Sequence, residues 1–278
     1  MKRKIGVLVD NLHLPIKEGI RKAKEVGADG FQVYVTHGEM MPENLTGSAL
    51  AELKALVADL DLEISALCGD LGKGFLNPEV NREAVPRSKK FIDLATALGV
   101  RIVTTHIGTL PEDENAPEWK AGVQAVCELA DYAHEHGCVF ASETGPEAPT
   151  VLLRFLQQVD TPGFGVNYDP ANLIMLGPFD HIGGVHVLKD YIVHTHAKDG
   201  ICLLRKPGGG NDFMELPLGQ GGVVFPYYLG ALDAIGYDGY LTIERELMKR
   251  EGSTEIEIME GDRIGDIARA IEYLRSFE

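Results

Sequence analysis

The stretch Thr96–His106, TALGVRIVTTH, carries a repeating sign of the fold. A helical run ends at Leu98, Gly99 follows, and the strand RIVTTH begins at once. A glycine just past the last turn takes the left-handed conformation that closes a helix at little steric cost. The same order recurs in KEVGADGFQVY (24–34), HEHGCVFASE (134–143) and DAIGYDGYLTIE (233–244).

Working outward, short segments rich in Val, Ile and aromatic residues read as strands. They are KIGVLVD (4–10), GFQVYV (30–35), EISALC (63–68), RIVTTH (101–106), CVFASE (138–143), GFGVNYD (163–169), YIVHTH (191–196) and GYLTIE (239–244). Between them, Ile16, Ile20 and Ala23 share one helix face, as do Phe91, Ile92, Ala95 and Leu98, and Val123, Val126, Ala130 and Ala133. Strand, helix, glycine, strand, repeated along the chain, is the pattern of a (β/α)8 TIM barrel of the α/β class. A doubly wound sheet would carry a glycine-rich phosphate loop after its first strand, where this chain has VDNLHLPI. No Pro/Gly/Ser-rich linker interrupts the sequence, so residues 1–278 read as one barrel domain.

Composition excludes several functions. The net charge of −16 argues against binding nucleic acid or anionic membranes. No apolar run is long enough for a membrane span, and Asp10 cuts the first apolar stretch too early for a signal peptide. Cys68, Cys127, Cys138 and Cys202 form no CxxC pair and read as reduced thiols of a cytoplasmic protein.

Barrel chemistry gathers at the C-terminal strand ends. Strands four to eight end in His106, Glu143, Asp169, His196 and Glu244. Side chains alternate faces along a strand. Thr104 with His106, Ala141 with Glu143, Asn167 with Asp169, and Thr242 with Glu244 share one parity, while Val103, Phe140, Val166, Leu241 and Ile243 take the other. The polar parity is therefore the barrel interior. Three carboxylates with one imidazole make an oxygen-rich site suited to one divalent ion, Mn2+ or Mg2+, and tolerant of Co2+ or Zn2+.

The chain resembles the xylose isomerase-like, or sugar phosphate isomerase/epimerase, barrel superfamily over nearly its whole length. SETG (142–145), NYDPANL (167–173), HTHAKD (194–199), ELPLGQGGVVFPYYLGALDAIGYDG (215–239) and GYDGYLTIERE (236–246) carry the resemblance. It implies that Glu143, Asp169, His196 and Glu244 hold one divalent metal, and that Glu143 and Glu244 are the acid/base pair. The implied activity is isomerisation or epimerisation of a sugar, keto-sugar or polyol derivative. Such chemistry moves a proton next to a carbonyl, and a metal stabilises the enediolate by several kcal/mol. The alternatives are a dehydratase on the same site, of the inosose or 3-keto-sugar type, and a non-catalytic sugar-binding barrel. The resemblance also implies a homodimer or homotetramer. Two positions depart from the epimerases: Asn172 stands where they have a histidine, and Lys198 is the nearest cation where many carry an arginine. Endonuclease IV, of the same superfamily, needs more histidines than this acidic chain offers.

Other residues complete the reading. His196 is expected as the ligand, and His194, one layer deeper, as the partner that orients a carboxylate. His106, Asn172, Lys198 and Trp119 are the expected substrate contacts, with Asp199 an alternative partner for Lys198, packing at a helix start the alternative for Trp119, and a hydrogen-bonded structural role the alternative for His106. Residues 200–223 read as a long loop, either a lid or a surface loop. His134 and His136 read as surface residues, and His13 and His37 carry no assignment.

Overall fold

A computed structural model describes residues 3–206, 210–246 and 262–278. Strands β1 (Lys4–Leu8), β2 (Gly30–Tyr34), β3 (Glu63–Cys68), β4 (Ile102–Thr105), β5 (Val139–Glu143), β6 (Phe164–Tyr168), β7 (Ile192–Ala197) and β10 (Tyr240–Ile243) close into one parallel barrel. Their order is β1-β10-β7-β6-β5-β4-β3-β2, and β2 pairs back to β1. The segments read as strands from the sequence supply this barrel, a single (β/α)8 TIM barrel.

Around it run helices α1 (Ile16–Glu25), α2 (Gly47–Asp59), α3 (Pro78–Leu98), α4 (Pro117–Glu135), α5 (Pro149–Val159), α6 (Pro170–Met175), α7 (Gly183–Val187), α8 (Phe225–Ala234) and α9 (Arg263–Arg275). Helices α3, α4, α5, α6 and α8 have proline in the first turn, where the lost N–H would have had no partner. Gly27, Gly99, Gly137 and Gly236 follow helix ends with positive φ, which is why helix and strand join so abruptly there.

The apolar faces are buried as their spacing requires. Ile20, Phe91, Ile92 and Val126 are fully buried, and so are Val103, Phe140 and Val166 on the strands beneath. Each such side chain contributes about 1.5–3 kcal/mol of burial.

The barrel interior is polar. Gln32 Nε2 on β2 donates to Thr104 Oγ1 at 2.8 Å, and Thr242 Oγ1 on β10 lies 2.9 Å from His194 Nε2 on β7. Ser65 Oγ on β3 is 3.4 Å from both Thr242 Oγ1 and His194 Nε2. These strands are not all neighbours, so the bonds cross the lumen. Gly6 leaves room for them, because a Cβ there would stand 2.8 Å from Thr242 Oγ1.

Two sequence expectations change. The long loop after β7 is largely an antiparallel hairpin, β8 (Asp199–Leu204) with β9 (Asp212–Leu216). Its middle, 207–209, lies outside the described residues. Asp199 anchors its base, accepting from the N–H groups of Gly200, Gly219, Gly221 and Val223 at 2.9–3.0 Å. Arg205 donates to Ile174 O at 2.9 Å and Lys206 to Asp212 Oδ1 at 2.7 Å, which ties the hairpin to α6 and to its own second strand. Trp119 is the second correction. It is fully buried in the first turn of α4, edge-on to Phe155 at 5.3 Å, and its indole N–H reaches Gln158 Oε1 at 2.7 Å. Of the two roles open to it, a wall of the sugar site or packing at a helix start, the structure gives it the second.

Candidate metal centre

Four side chains converge at the C-terminal mouth of the barrel. Glu143 ends β5, Asp169 follows β6, His196 lies on β7 and Glu244 follows β10. One ligand atom from each lies within 4.8 Å of all the others, and all four residues are buried. The sequence placed these residues at strand ends, and the barrel brings them into one nest.

Local structure fixes each one. Asp169 caps α6, its Oδ1 accepting from Ala171 and Asn172 N–H at 2.8 and 3.0 Å. Its Oδ2 is buried with no hydrogen-bond partner among the described residues. Glu143 Oε1 accepts from Asn172 Nδ2 at 2.9 Å, and Glu143 Oε2 from Asn167 Nδ2 at 3.3 Å. Asn172 thus supports a carboxylate of the nest.

His196 Nε2 lies 2.9 Å from Gln32 Oε1, a carbonyl that only accepts, and 3.2 Å from Asn167 Nδ2; the shorter contact favours a hydrogen on Nε2. The other nitrogen, Nδ1, stands 3.3 Å from Glu143, 3.6 Å from Asp169 and 3.4 Å from Glu244. A bare lone pair against three carboxylates is unfavourable, so a proton or a cation belongs between them. Burial opposes charging His196, but Glu244 and Glu143 outweigh it and hold its pKa well above the usual range. Together with the unpaired Asp169 oxygen, this donor set fits a divalent cation.

His194 has the opposite character. Burial, reinforced by His196, pushes its pKa down, so it is neutral. Its Nδ1 donates to Asn167 Oδ1 at 2.9 Å, and Asn167 in turn holds Glu143. It supports the nest through an amide, not by touching a carboxylate itself.

His106 stands at the rim, its Nδ1 2.7 Å from Asp70 Oδ2 and its Nε2 3.7 Å from Glu143 Oε1. Glu143, aided by Asp70, raises its pKa. Lys198 departs from expectation. Its side chain is only 2% exposed, with Nζ 2.7 Å from both Glu244 Oε2 and Glu246 Oε2. It pairs with neither Asp199 nor open solvent, because Asp199 is saturated by backbone N–H groups.

The chain matches the xylose isomerase-like TIM barrel family over residues 20–277. It belongs to that family. A curated relative is an uncharacterized protein, MJ1311, of Methanocaldococcus jannaschii. It is 24% identical over 204 residues, which cover 68% of this chain and 65% of the relative. The chain thus spans just under two thirds of that relative's length. A xylose isomerase domain protein from Planctomyces limnophilus is 26% identical with a TM-score of 0.82, covering 99% of this chain and 96% of that one. A D-psicose 3-epimerase of Clostridium cellulolyticum H10 is 17% identical with a TM-score of 0.76, covering 99% of both chains. Other structures of the same fold include a 3-keto-D-glucoside 4-epimerase and a probable 3-DHS dehydratase. At such identities the likeness is one of fold.

Several residues at this mouth escape a sequence reading. Gln32 has a weak signal, a polar residue between Phe31 and Val33 in an otherwise apolar strand. Asp70, Glu246 and Glu147 have none. Glu147 is 7% exposed, and its Oε2 has no partner among the described residues. Burial raises its pKa to about 7, partly offset by nearby backbone N–H groups and His106. A raised carboxyl pKa favours the folded state at low pH and loses that contribution as pH rises through the folded value. Glu147→Gln is therefore expected to be more stable than the unchanged protein at pH 8 by about 3 kcal/mol, with the difference gone near pH 4. Urea unfolding at both pH values checks this, and a variant less stable at pH 8 would refute it.

Proposed function

We propose that the chain is a divalent-metal-dependent isomerase or epimerase acting on a sugar, keto-sugar or polyol derivative. The observation that carries this reading is the buried nest of Glu143, Asp169, His196 and Glu244, with its unpaired Asp169 oxygen. Mn2+ or Mg2+ suits three carboxylates and one imidazole. A cation held there supplies Lewis acidity to a substrate carbonyl and its neighbouring hydroxyl.

The residues do the rest. Glu143 and Glu244 come from strands separated by β6 and β7, so a substrate over the nest meets a carboxylate from each. One removes the proton beside the carbonyl and the other returns one to the opposite face. Glu143 is kept in place by Asn172 and Asn167. His106, braced by Asp70, meets substrate hydroxyls at the rim. Sugar epimerases of the same fold support this reading.

The test is metal analysis of the purified protein, then deuterium exchange in D2O across ketoses, keto-inositols and 3-keto sugars. The expected result is about one Mn2+-class ion per chain and exchange at one substrate carbon. Product analysis then separates epimerisation from loss of water. A protein that takes up no metal and exchanges no substrate is not this enzyme.

A further inference from the structure

Lys198 stands out as a buried charge that the proposed reaction does not use. Its ammonium has three N–H donors, and its partners include two carboxylates, Glu244 and Glu246. A substrate contact in the sense expected from sequence would need an open face, and Lys198 is 1% exposed.

The atom it binds matters more than the charge. Lys198 Nζ sits 2.7 Å from Glu244 Oε2, and that same oxygen is the one 3.4 Å from His196 Nδ1. Glu244 thus turns toward the metal nest the oxygen that the ammonium already occupies. Glu143 is held differently, by the neutral amides of Asn172 and Asn167. The two glutamates are therefore unequal. A cation in the nest meets Glu143 with His106 no nearer than 3.7 Å to it, and must share Glu244 with an ammonium in direct contact at 2.7 Å.

We propose that Lys198 is a positioning residue that restrains Glu244 as a metal ligand, so that Glu244 stays available to move the substrate proton. Glu246 sets the strength of that restraint by drawing the ammonium partly away. The idea rests on the metal-dependent reading above, and its test separates the two.

The probe is Mn2+ alone, titrated calorimetrically into the full-length chain and followed by the electron paramagnetic resonance signal of the bound ion. Lys198→Met should bind Mn2+ about tenfold more tightly and with an altered signal, because Glu244 is released to the cation. Lys198→Arg, which keeps the charge, should return the affinity to within about threefold of the unchanged protein. With a substrate that the unchanged protein exchanges, Lys198→Met should lose about a hundredfold in kcat at saturating Mn2+, with KM nearly unaltered. Glu246→Gln removes one of the carboxylates that draw the ammonium from Glu244 and should weaken Mn2+ binding, the opposite direction. It also serves should Lys198→Met fail to fold.

Equal or weaker Mn2+ binding by Lys198→Met makes the lysine a structural counter-ion and overturns the proposal. So does a raised KM with unchanged kcat, which marks a substrate contact, or tighter or unchanged binding by Glu246→Gln. An unchanged protein that binds no Mn2+ removes the metal-dependent reading itself.

Discussion

Glu143→Gln and Glu244→Gln should each lose turnover by about a thousandfold while keeping the fold and a bound divalent ion. Glutamine has the shape of glutamate but no basic oxygen. In Glu143→Gln the new amide oxygen can still accept from Asn172, and in Glu244→Gln it can still accept from Lys198, so packing changes little. Three other donors remain in the nest for the cation. The two variants should also fail differently. If each glutamate serves one face of the substrate, each variant still washes deuterium into the epimer whose proton the remaining carboxylate removes. It cannot complete the inversion. Exchange from one epimer in Glu143→Gln and from the other in Glu244→Gln is thus the signature of two bases. Unaltered turnover in either variant removes that glutamate from the proton path, and loss of metal along with activity makes it a ligand alone.

The sequence made the barrel legible because its signals are local. Gly99 closes α3 within two residues of the next strand, and alternation along RIVTTH separates Val103 from Thr104. Strand ends are local too, so Glu143, Asp169, His196 and Glu244 could be read as one set before the barrel brought them together. What stayed hidden depends on partners far along the chain. Gln32 meets His196 across the lumen, and Asp70 meets His106 from a different loop. Neither pairing leaves a periodic trace. Trp119 could be read either as a wall of the sugar site or as packing at a helix start, and only the fit of α4 against Phe155 decides for packing. Lys198 misled. A cation beside a metal-site histidine suggests a substrate contact, but Glu246 lies just beyond the strand-end Glu244 and neutralises it.

Arg245→Met should be the most destabilising of these single changes, costing about 3–5 kcal/mol. Arg245 is 4% exposed, with Nε 2.6 Å from Asp266 Oδ2 and Nη1 2.7 Å from Glu215 Oε1. Glu215 comes from β9 of the hairpin and Asp266 from the first turn of α9, so one guanidinium ties both to the end of β10. Methionine fills much of the space but takes the guanidinium from two buried carboxylates, of which Asp266 keeps only the more distant Arg269 at 3.8 Å, and a buried charge that loses its nearest partner costs far more than a surface ion pair. The loss should therefore depend on the acids that remain. Adding Glu215→Gln and Asp266→Asn to Arg245→Met should recover about half of it, because the amides carry no charge to strand. Urea unfolding of the single and triple variants measures both numbers. The arginine also follows Glu244 directly, and its backbone N–H donates to Asn11 Oδ1 at 2.8 Å. That bond survives the substitution, so Mn2+ affinity should fall less steeply than stability. A loss below about 1 kcal/mol would show that the two acids find other partners or take up protons at little cost, and that the hairpin and α9 are not fastened to the site by this charge.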